Sequence, residues 1–582
     1  MAIAAVLRQL QRAQALHQAG RTGEAWTILA PLRAAIDAHG QGLRLYALVA
    51  QAAGRPAEAI AALERVAALE GEPPEIVGAL ADLLGKAGRH QEALRQWDRL
   101  AARHPEIPDV HLNRAIAAGH AGLHQRAVQA ADAGLERFPG HPRLLAVKAM
   151  ALKNAGRVEE SVTLFEAAVR ADPDRALTRH NQGVALRAAC RFGEACEAFA
   201  ASARLGMRGA QFHANWAAAA LEAGRVAEAE DLYAKALAED PAHQESLKGL
   251  TRLKIEYRGG EHAFDHYRRS VEARGGSPQA WADWLNALIG HQRPAEAAEV
   301  ASRALAAHPD IPELRALKSF AQGLAGDAAS ALAELEAELR ERPSDPALLA
   351  SIPQVALRAG QPDRAAAILE RQVAANPHDQ TAWSLLSIAW RLLDDPREHW
   401  LCDYERLVMV TEVRPPGGEM EPADYAVEVA ALLDPLHVTL AAPGDQSLRG
   451  GTQTSGALFD RPDPAIRRFR DAVRLAAEAA VASLPDDPGH PFLSRKTPRL
   501  GFHGSWSVRL HAGGHHVPHM HHEGWMSSAY YARVPDCDAE GRRSREGWIQ
   551  FGEPPDSFGL DLEPRRFVEP QPGRLVLFPS YM

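Results

Sequence analysis

A chain of 582 residues, 46% hydrophobic and 24% charged, has the length and composition to bury several cores. Its formal net charge of −9 argues against a general binder of nucleic acid or of anionic membranes. Four cysteines, Cys190, Cys196, Cys402 and Cys537, form no CxxC pair and no disulfide framework, which fits a reducing compartment.

The N-terminal stretch reads as an amphipathic helix interrupted by Arg8 and Arg12. Its apolar run is too short for a signal peptide or a membrane span. The expected address is the cytoplasm, of a bacterium by the Ala/Arg-rich composition. Neither nucleic acid nor membrane is expected as a partner.

A period of 34 residues then runs through two thirds of the chain. Gly20, Gly54, Gly88, Gly122 and Gly156 mark one slot, which continues as Cys190, Gly224, Arg258, Gln292, Gly326 and Gly360. Five residues later a small residue recurs, from Ala25 and Ala59 through Ser161 to Ala365. A third slot carries Pro105, Pro139, Pro173, Pro241, Pro309, Pro343 and Pro377. Glycine suits a left-handed cap closing a first helix. Alanine lets two helices approach closely, and proline stops the second helix. The predicted unit is therefore helix, tight turn, helix, proline stop. This pattern resembles the tetratricopeptide repeat, and a solenoid of about eleven or twelve units is expected over residues 1–395. The resemblance implies a concave face that binds a protein or peptide. Asn113, Asn181 and Asn215 share one slot of the first helix and are candidate peptide-binding residues, because an amide both donates to and accepts from a peptide unit. The alternative is that they are solvated polar positions. Trp97, Trp216, Trp281 and Trp284 are expected to pack between helices.

The repeat pattern fades after Trp390, and residues 396–423, with Arg414-Pro-Pro-Gly-Gly418, read as a linker. A second domain is expected over 424–582. It opens with helical patterns at 424–433 and 463–482, followed by strand-like runs at 504–510, 526–534, 548–551 and 574–578. This length is too short for a two-lobed nucleotide-sugar transferase.

Six histidines crowd this domain: His511, His515, His516, His519, His521 and His522. Neutral imidazole is a common transition-metal ligand. In His519-Met-His521, an extended backbone would turn both rings to one side, so both could reach one metal ion. The other four are expected to be neighbours in the loops.

The His519-Met-His521 pair, Ser527-Ser-Ala-Tyr-Tyr531 and Pro572-Gly-Arg-Leu-Val-Leu-Phe-Pro-Ser580 together resemble the 2-oxoglutarate/Fe(II) oxygenases of the prolyl-hydroxylase-like superfamily, and Ser447-Leu-Arg-Gly-Gly-Thr-Gln-Thr454 resembles the segment preceding their core. The match spans roughly residues 400–582. It implies an α+β domain built on a double-stranded β-helix of jelly-roll or cupin type, following the all-α superhelix. It also implies Fe(II) as cofactor and 2-oxoglutarate as cosubstrate, with His519 and His521 as metal ligands. Arg509 and Tyr530 are candidates to face the cosubstrate. The implied function is a hydroxylase whose repeats recruit a protein or peptide substrate.

The sequence departs from that family twice. His521 stands where a carboxylate is usual, and pairing His521 with Glu523 is the alternative that would restore one. The chain also ends at Tyr581-Met582, before the family's third ligand and a later arginine. A truncated sequence or an inactive domain is expected to explain this. The alternative functions are a non-catalytic scaffold with a degenerate barrel and a metal-binding cupin with another activity.

Overall fold

The computed structural model describes residues 2–418, 420–535, 541 and 544–582. It divides into two compact units, Met1–Arg208 and Gly209–Met582. Both are built from antiparallel helix pairs; the second also contains every described strand.

The three repeat slots do what their chemistry demands. Gly54, Gly88, Gly122 and Gly156 take φ values of 72° to 78°, and the following residue donates back into the helix, as Arg55 N–H does to Ala50 O at 2.8 Å. Where the slot holds Cys190 or Gln292, the backbone keeps the same left-handed turn at φ 56°. The small-residue slot is sealed: Ala25, Ala59, Ser161, Ala195, Ala229, Ala297 and Ala365 have no exposed surface. Trp97, Trp281 and Trp284 are buried between helices as expected. The last repeat helix is Gln380–Leu392.

Residues 396–423, expected to be a linker, carry regular structure. Helices Arg397–Leu401 and Tyr404–Leu407 lead into strand β1, Met409–Glu412. Beyond helix Pro422–Leu433 come β2, Leu448–Gln453, and helix Pro464–Ala482. The remaining strands are β3 (Val508–His516), β4 (Met526–Tyr530), β5 (Ile549–Phe551), β6 (Arg566–Val568) and β7 (Arg574–Pro579). They form three antiparallel sheets among the described residues, ordered β1-β7-β4, β2-β3 and β5-β6.

Strand β7 is the organising element. Its run Leu575-Val-Leu-Phe578 is apolar on both faces, the pattern of a strand buried on each side. Leu575 and Leu577 pack against Tyr425, Val429, Phe469 and Val473 of the two long helices. Val576 and Phe578 pack the other way, on Val408, Phe551 and Val568. Each such side chain contributes about 1.5–3 kcal/mol by leaving water. Two residues past β7, Tyr581 is buried too, and its hydroxyl donates to Leu401 O at 2.9 Å.

The last repeats and the strand domain share one core. Leu385, Leu386 and Trp390 of the repeat helices lie in the same cluster as Phe492, Phe558 and Tyr581. Arg391 donates to the carbonyls of Gly552 and Glu563, both at 2.6 Å. The residues from Leu436 into β2 lie across the repeats: Leu440 and Ala441 donate to Glu256 O at 3.0 and 3.2 Å, and Arg449 of β2 bonds Gln292.

Candidate metal centre and its cavity

The histidine pair sits in the loop between β3 and β4, not on a strand. Two anchors hold that loop. At one end, β3 pairs with β2, bringing Leu448 opposite His516, and Val517 N–H donates to Ser447 O at 3.0 Å. At the other, His521 N–H donates to Ser580 O at 3.0 Å, and Ser580 N–H donates to Trp525 O at 3.2 Å. The Pro-Ser ending of the β7 motif thus fixes the backbone of His521.

The β2–β3 ribbon is bulged between Arg449 and Gly451. A side chain at Gly514 would run into the Gly450 carbonyl, so these two strands can approach only as glycines.

Three imidazoles come together at this loop. The His519 and His521 rings lie edge to face with centroids 5.0 Å apart, and His516 stacks on His519 at 5.7 Å. Trp506 stacks on the outer side of His521 at 5.9 Å. His519 Nδ1 donates to Val517 O at 2.8 Å, which leaves Nε2 as the free lone pair. His516 Nδ1 lies 2.9 Å from Ser447 Oγ. Sequence reasoning counted His516 among the loop neighbours; the H-x-x-H-x-H spacing of 516, 519 and 521 was the available signal.

His516 and His519 are exposed and His521 is half-buried, yet the walls around all three favour the neutral ring. The surrounding walls disfavour a charged ring, and this pushes His516 and His521 down to about 4 and lowers His519 as well. The neighbouring His519 lowers His516 and His521 further. Neutral imidazole is the form that ligates metal.

The other expected residues divide. Glu523 turns away to pair with His503 at 2.6 Å, so the His521/Glu523 alternative is not assembled in this arrangement. Arg509 is exposed on β3 opposite Thr452, and its guanidinium has no hydrogen bond or ion pair among the described residues. Tyr530, on β4, packs against Phe469 at 5.0 Å, and its buried hydroxyl has no partner among the described residues. His511, His515 and His522 are exposed. Asn113, Asn181 and Asn215 are half-buried on first helices of their repeats, the first two in one unit and the third in the other. Cys537 lies outside the described residues.

The donor set fits a metal in part. Two neutral imidazoles converge, one with its far nitrogen fixed by a carbonyl. Yet among the described residues no group of three or more His, Cys, Asp or Glu side chains is spaced to hold a metal ion. The histidines open on a cavity of about 3410 Å³ within the second unit. One wall is β2, β3 and the histidine loop; another is the repeat helices between Gln244 and Leu392.

Residues 504–582 match the family described as "Putative 2OG-Fe(II) oxygenase". Residues 79–142, 147–210 and 354–396 match the tetratricopeptide repeat family. The chain therefore carries tetratricopeptide repeats followed by a domain of that oxygenase type. A comparison with curated proteins finds no match. Among solved structures, a tetratricopeptide repeat protein from Parabacteroides merdae is 16% identical, covering 43% of this chain and 98% of its own, with a TM-score of 0.37. A thermophilic repeat protein of Thermus thermophilus is 20% identical, covering 30% of this chain and 95% of its own, with a TM-score of 0.27. YrrB, a repeat protein with an unusual peptide-binding site, is 16% identical, covering 32% and 95%, with a TM-score of 0.26. No described helix is long and apolar enough to cross a membrane.

Proposed function

We propose that this protein is an Fe(II)- and 2-oxoglutarate-dependent dioxygenase whose repeats recruit a protein or peptide substrate. The observation that carries this reading is the convergence of the neutral His519 and His521 rings, 5.0 Å apart, inside the segment that matches the oxygenase family. His519 and His521 would hold the iron. When bound, iron and 2-oxoglutarate couple oxidative decarboxylation of the cosubstrate to hydroxylation of a C–H bond.

The chain's own groups have separate tasks in that scheme. Val517 O keeps the His519 proton on Nδ1 and so keeps Nε2 unprotonated. Ser580 O and the Trp506 ring hold His521 in place. The unpaired Arg509 guanidinium offers a positive charge for a cosubstrate carboxylate. The Tyr530 hydroxyl, on β4, is buried without a partner among the described residues and is the weaker candidate.

The test is anaerobic Fe(II) titration of the full chain, followed by succinate release from 2-oxoglutarate under oxygen. Stoichiometric iron uptake that is lost in His519→Ala and His521→Ala, together with succinate release, supports the reading. Iron binding without succinate release rejects it in favour of a metal-binding cupin with another activity. The absence of a third spaced donor among the described residues favours the second reading, a non-catalytic scaffold, which predicts no iron uptake at all.

A further inference from the structure

The loop that holds the histidine pair has a second neighbour. Residues 502–506, which lead into β3, lie beside residues 521–523 and touch them twice. Trp506 stacks on His521 at 5.9 Å, and His503 Nε2 meets Glu523 Oε2 at 2.6 Å. Phe502 stands edge-on to Phe459 at 4.7 Å. Phe502, His503, Trp506 and Glu523 all line the cavity on which the histidines open.

The chemistry of this corner is specific. One exposed aromatic ring on a surface is ordinary. Here two rings, Phe502 and Trp506, stay 40% and 38% exposed in the same short segment as the histidine that holds a carboxylate. An aromatic face attracts a cation through its quadrupole, and a carboxylate supplies the opposite charge. Glu523 commits Oε2 to His503, and no described residue bonds its Oε1. A carboxylate oxygen accepts hydrogen bonds and cannot donate them, so its partner must bring N–H or O–H groups.

The rest of the cavity has the same bias. Asp445, Glu546, Glu553, Asp556 and Glu569 line it outside any ion pair among the described residues. Its arginines are more committed: Arg391 bonds the carbonyls of Gly552 and Glu563, and Arg449 bonds Gln292. The Arg509 guanidinium already has a task in the proposed function, as the charge that meets a cosubstrate carboxylate.

We propose that the substrate residue presented beside His521 is a lysine or an arginine, its cation held by the Trp506 and Phe502 rings and by the Glu523 carboxylate. Glu523, which pairs with His503, thereby sets which side chain is accepted. This rests on the oxygenase reading for the reaction and names the class of side chain it acts on. The recognition itself needs neither iron nor cosubstrate.

The experiment uses the full-length chain without metal and fluorescein-labelled pools of twelve-residue peptides, read by anisotropy. The degenerate positions are uncharged, and the central residue is fixed as lysine, arginine, norleucine or glutamate. The expected result is that a lysine- or arginine-centred pool binds at least tenfold tighter than the norleucine-centred pool. Glu523→Gln, which keeps the shape of the side chain and an oxygen for His503, should bring that ratio within twofold. Glu523→Lys should invert the preference, so that the glutamate-centred pool binds tightest. Trp506→Leu should reduce the preference threefold or more. Helicity by circular dichroism and iron uptake within twofold of wild type show that Glu523→Gln leaves the histidine loop intact; if Glu523→Lys loses helicity, Glu523→Gln decides alone. Binding by no pool, equal binding of lysine-, arginine- and norleucine-centred pools, or a preference untouched by Glu523→Gln overturns the proposal. A cation preference without succinate release leaves this subsite standing and rejects the oxygenase reading. Succinate release with no cation preference does the reverse.

Discussion

Ser447 Oγ and His516 Nδ1 lie 2.9 Å apart, and this bond joins the segment that lies across the repeats to the histidine loop. Ser447 follows Gly444, which packs on Ile255 and His291 of two repeat helices, and precedes β2. The histidines are thus carried by a strand pair that is itself seated on the repeat array.

Ser447→Ala is expected to leave His516 Nδ1 without its partner, at a cost near the low end of about 0.5–1.5 kcal/mol for a neutral bond. The change should show as a shift of the His516 ring nitrogens in a nitrogen-15 spectrum, with the His266 ring unmoved. Unchanged His516 signals would remove the bond from the account.

Gly444→Val tests the seat itself. A Cβ there would lie 2.7 Å from Ile255 Cδ1 and 2.9 Å from His291 Nδ1. Overpacking of this kind costs about 1–3 kcal/mol. Limited proteolysis should open the chain between residues 437 and 447 in the variant at protease levels that spare the wild type.

The metal assignment separates two carboxylate and imidazole candidates. His519→Ala should abolish stoichiometric iron uptake, measured by metal analysis after desalting. Glu523→Ala should leave it within twofold, because Glu523 is committed to His503. Equal losses in both variants would restore the His521/Glu523 pairing.

Gly249 explains a break in the asparagine slot. A Cβ there would lie within 2.6 Å of the Tyr233 ring, so the aromatic residue occupies the space a side chain would need. Gly249→Ala gains about 0.5–1 kcal/mol of helix propensity but incurs about 1–3 kcal/mol of overpacking, and the loss wins. Urea unfolding should show net destabilisation, relieved when Tyr233→Leu is added. Such relief is the signature of two residues competing for one space.

His266 sets a pH dependence outside the candidate centre. It is buried, donates from Nε2 to Leu247 O at 2.8 Å, and leaves Nδ1 without a partner among the described residues. Burial holds it down to about 4, against an ordinary 6.5. The native state therefore binds fewer protons than the unfolded chain between those values. The stability is fully present above pH 6.5 and is lost as pH falls towards 4. At about 1.4 kcal/mol per unit the full loss is about 3 kcal/mol. Urea midpoints at pH 7 and pH 4.5 should differ less in His266→Gln than in the wild type.

The repeat architecture was legible because its signals are local. A glycine at most left-handed turns and a small residue at most sealed contacts recur at one spacing, and the structure uses them as such. The helical patterns at 424–433 and 463–482 and the strand-like run at 574–578 were legible too, and lie within a residue or two of helices Pro422–Leu433 and Pro464–Ala482 and strand Arg574–Pro579. The stretch at 396–423 misled. Its Pro-Pro-Gly-Gly segment reads as a loop, while Met409–Glu412 is too short to announce a strand without β7 beside it. The histidine pair was legible as a spacing; His516 had a spacing signal too, but it was read as a loop neighbour, and the pairing of β2 with β3 brings it to the pair. Glu523 pairs instead with His503, twenty residues away in the chain.

By itself the sequence determined where helices turn and stop, which strand is buried on both faces, and which two histidines lie close enough in the chain to act together. These follow from backbone geometry and from apolar periodicity, both readable over a few residues. Only the tertiary structure decided that Ser447 and Ser580 anchor the two ends of the histidine loop, and that the last repeats pack into the core of the strand domain. The two anchors join residues 69 and 59 positions apart, brought together by burial of the core that the last repeats share with the strand domain.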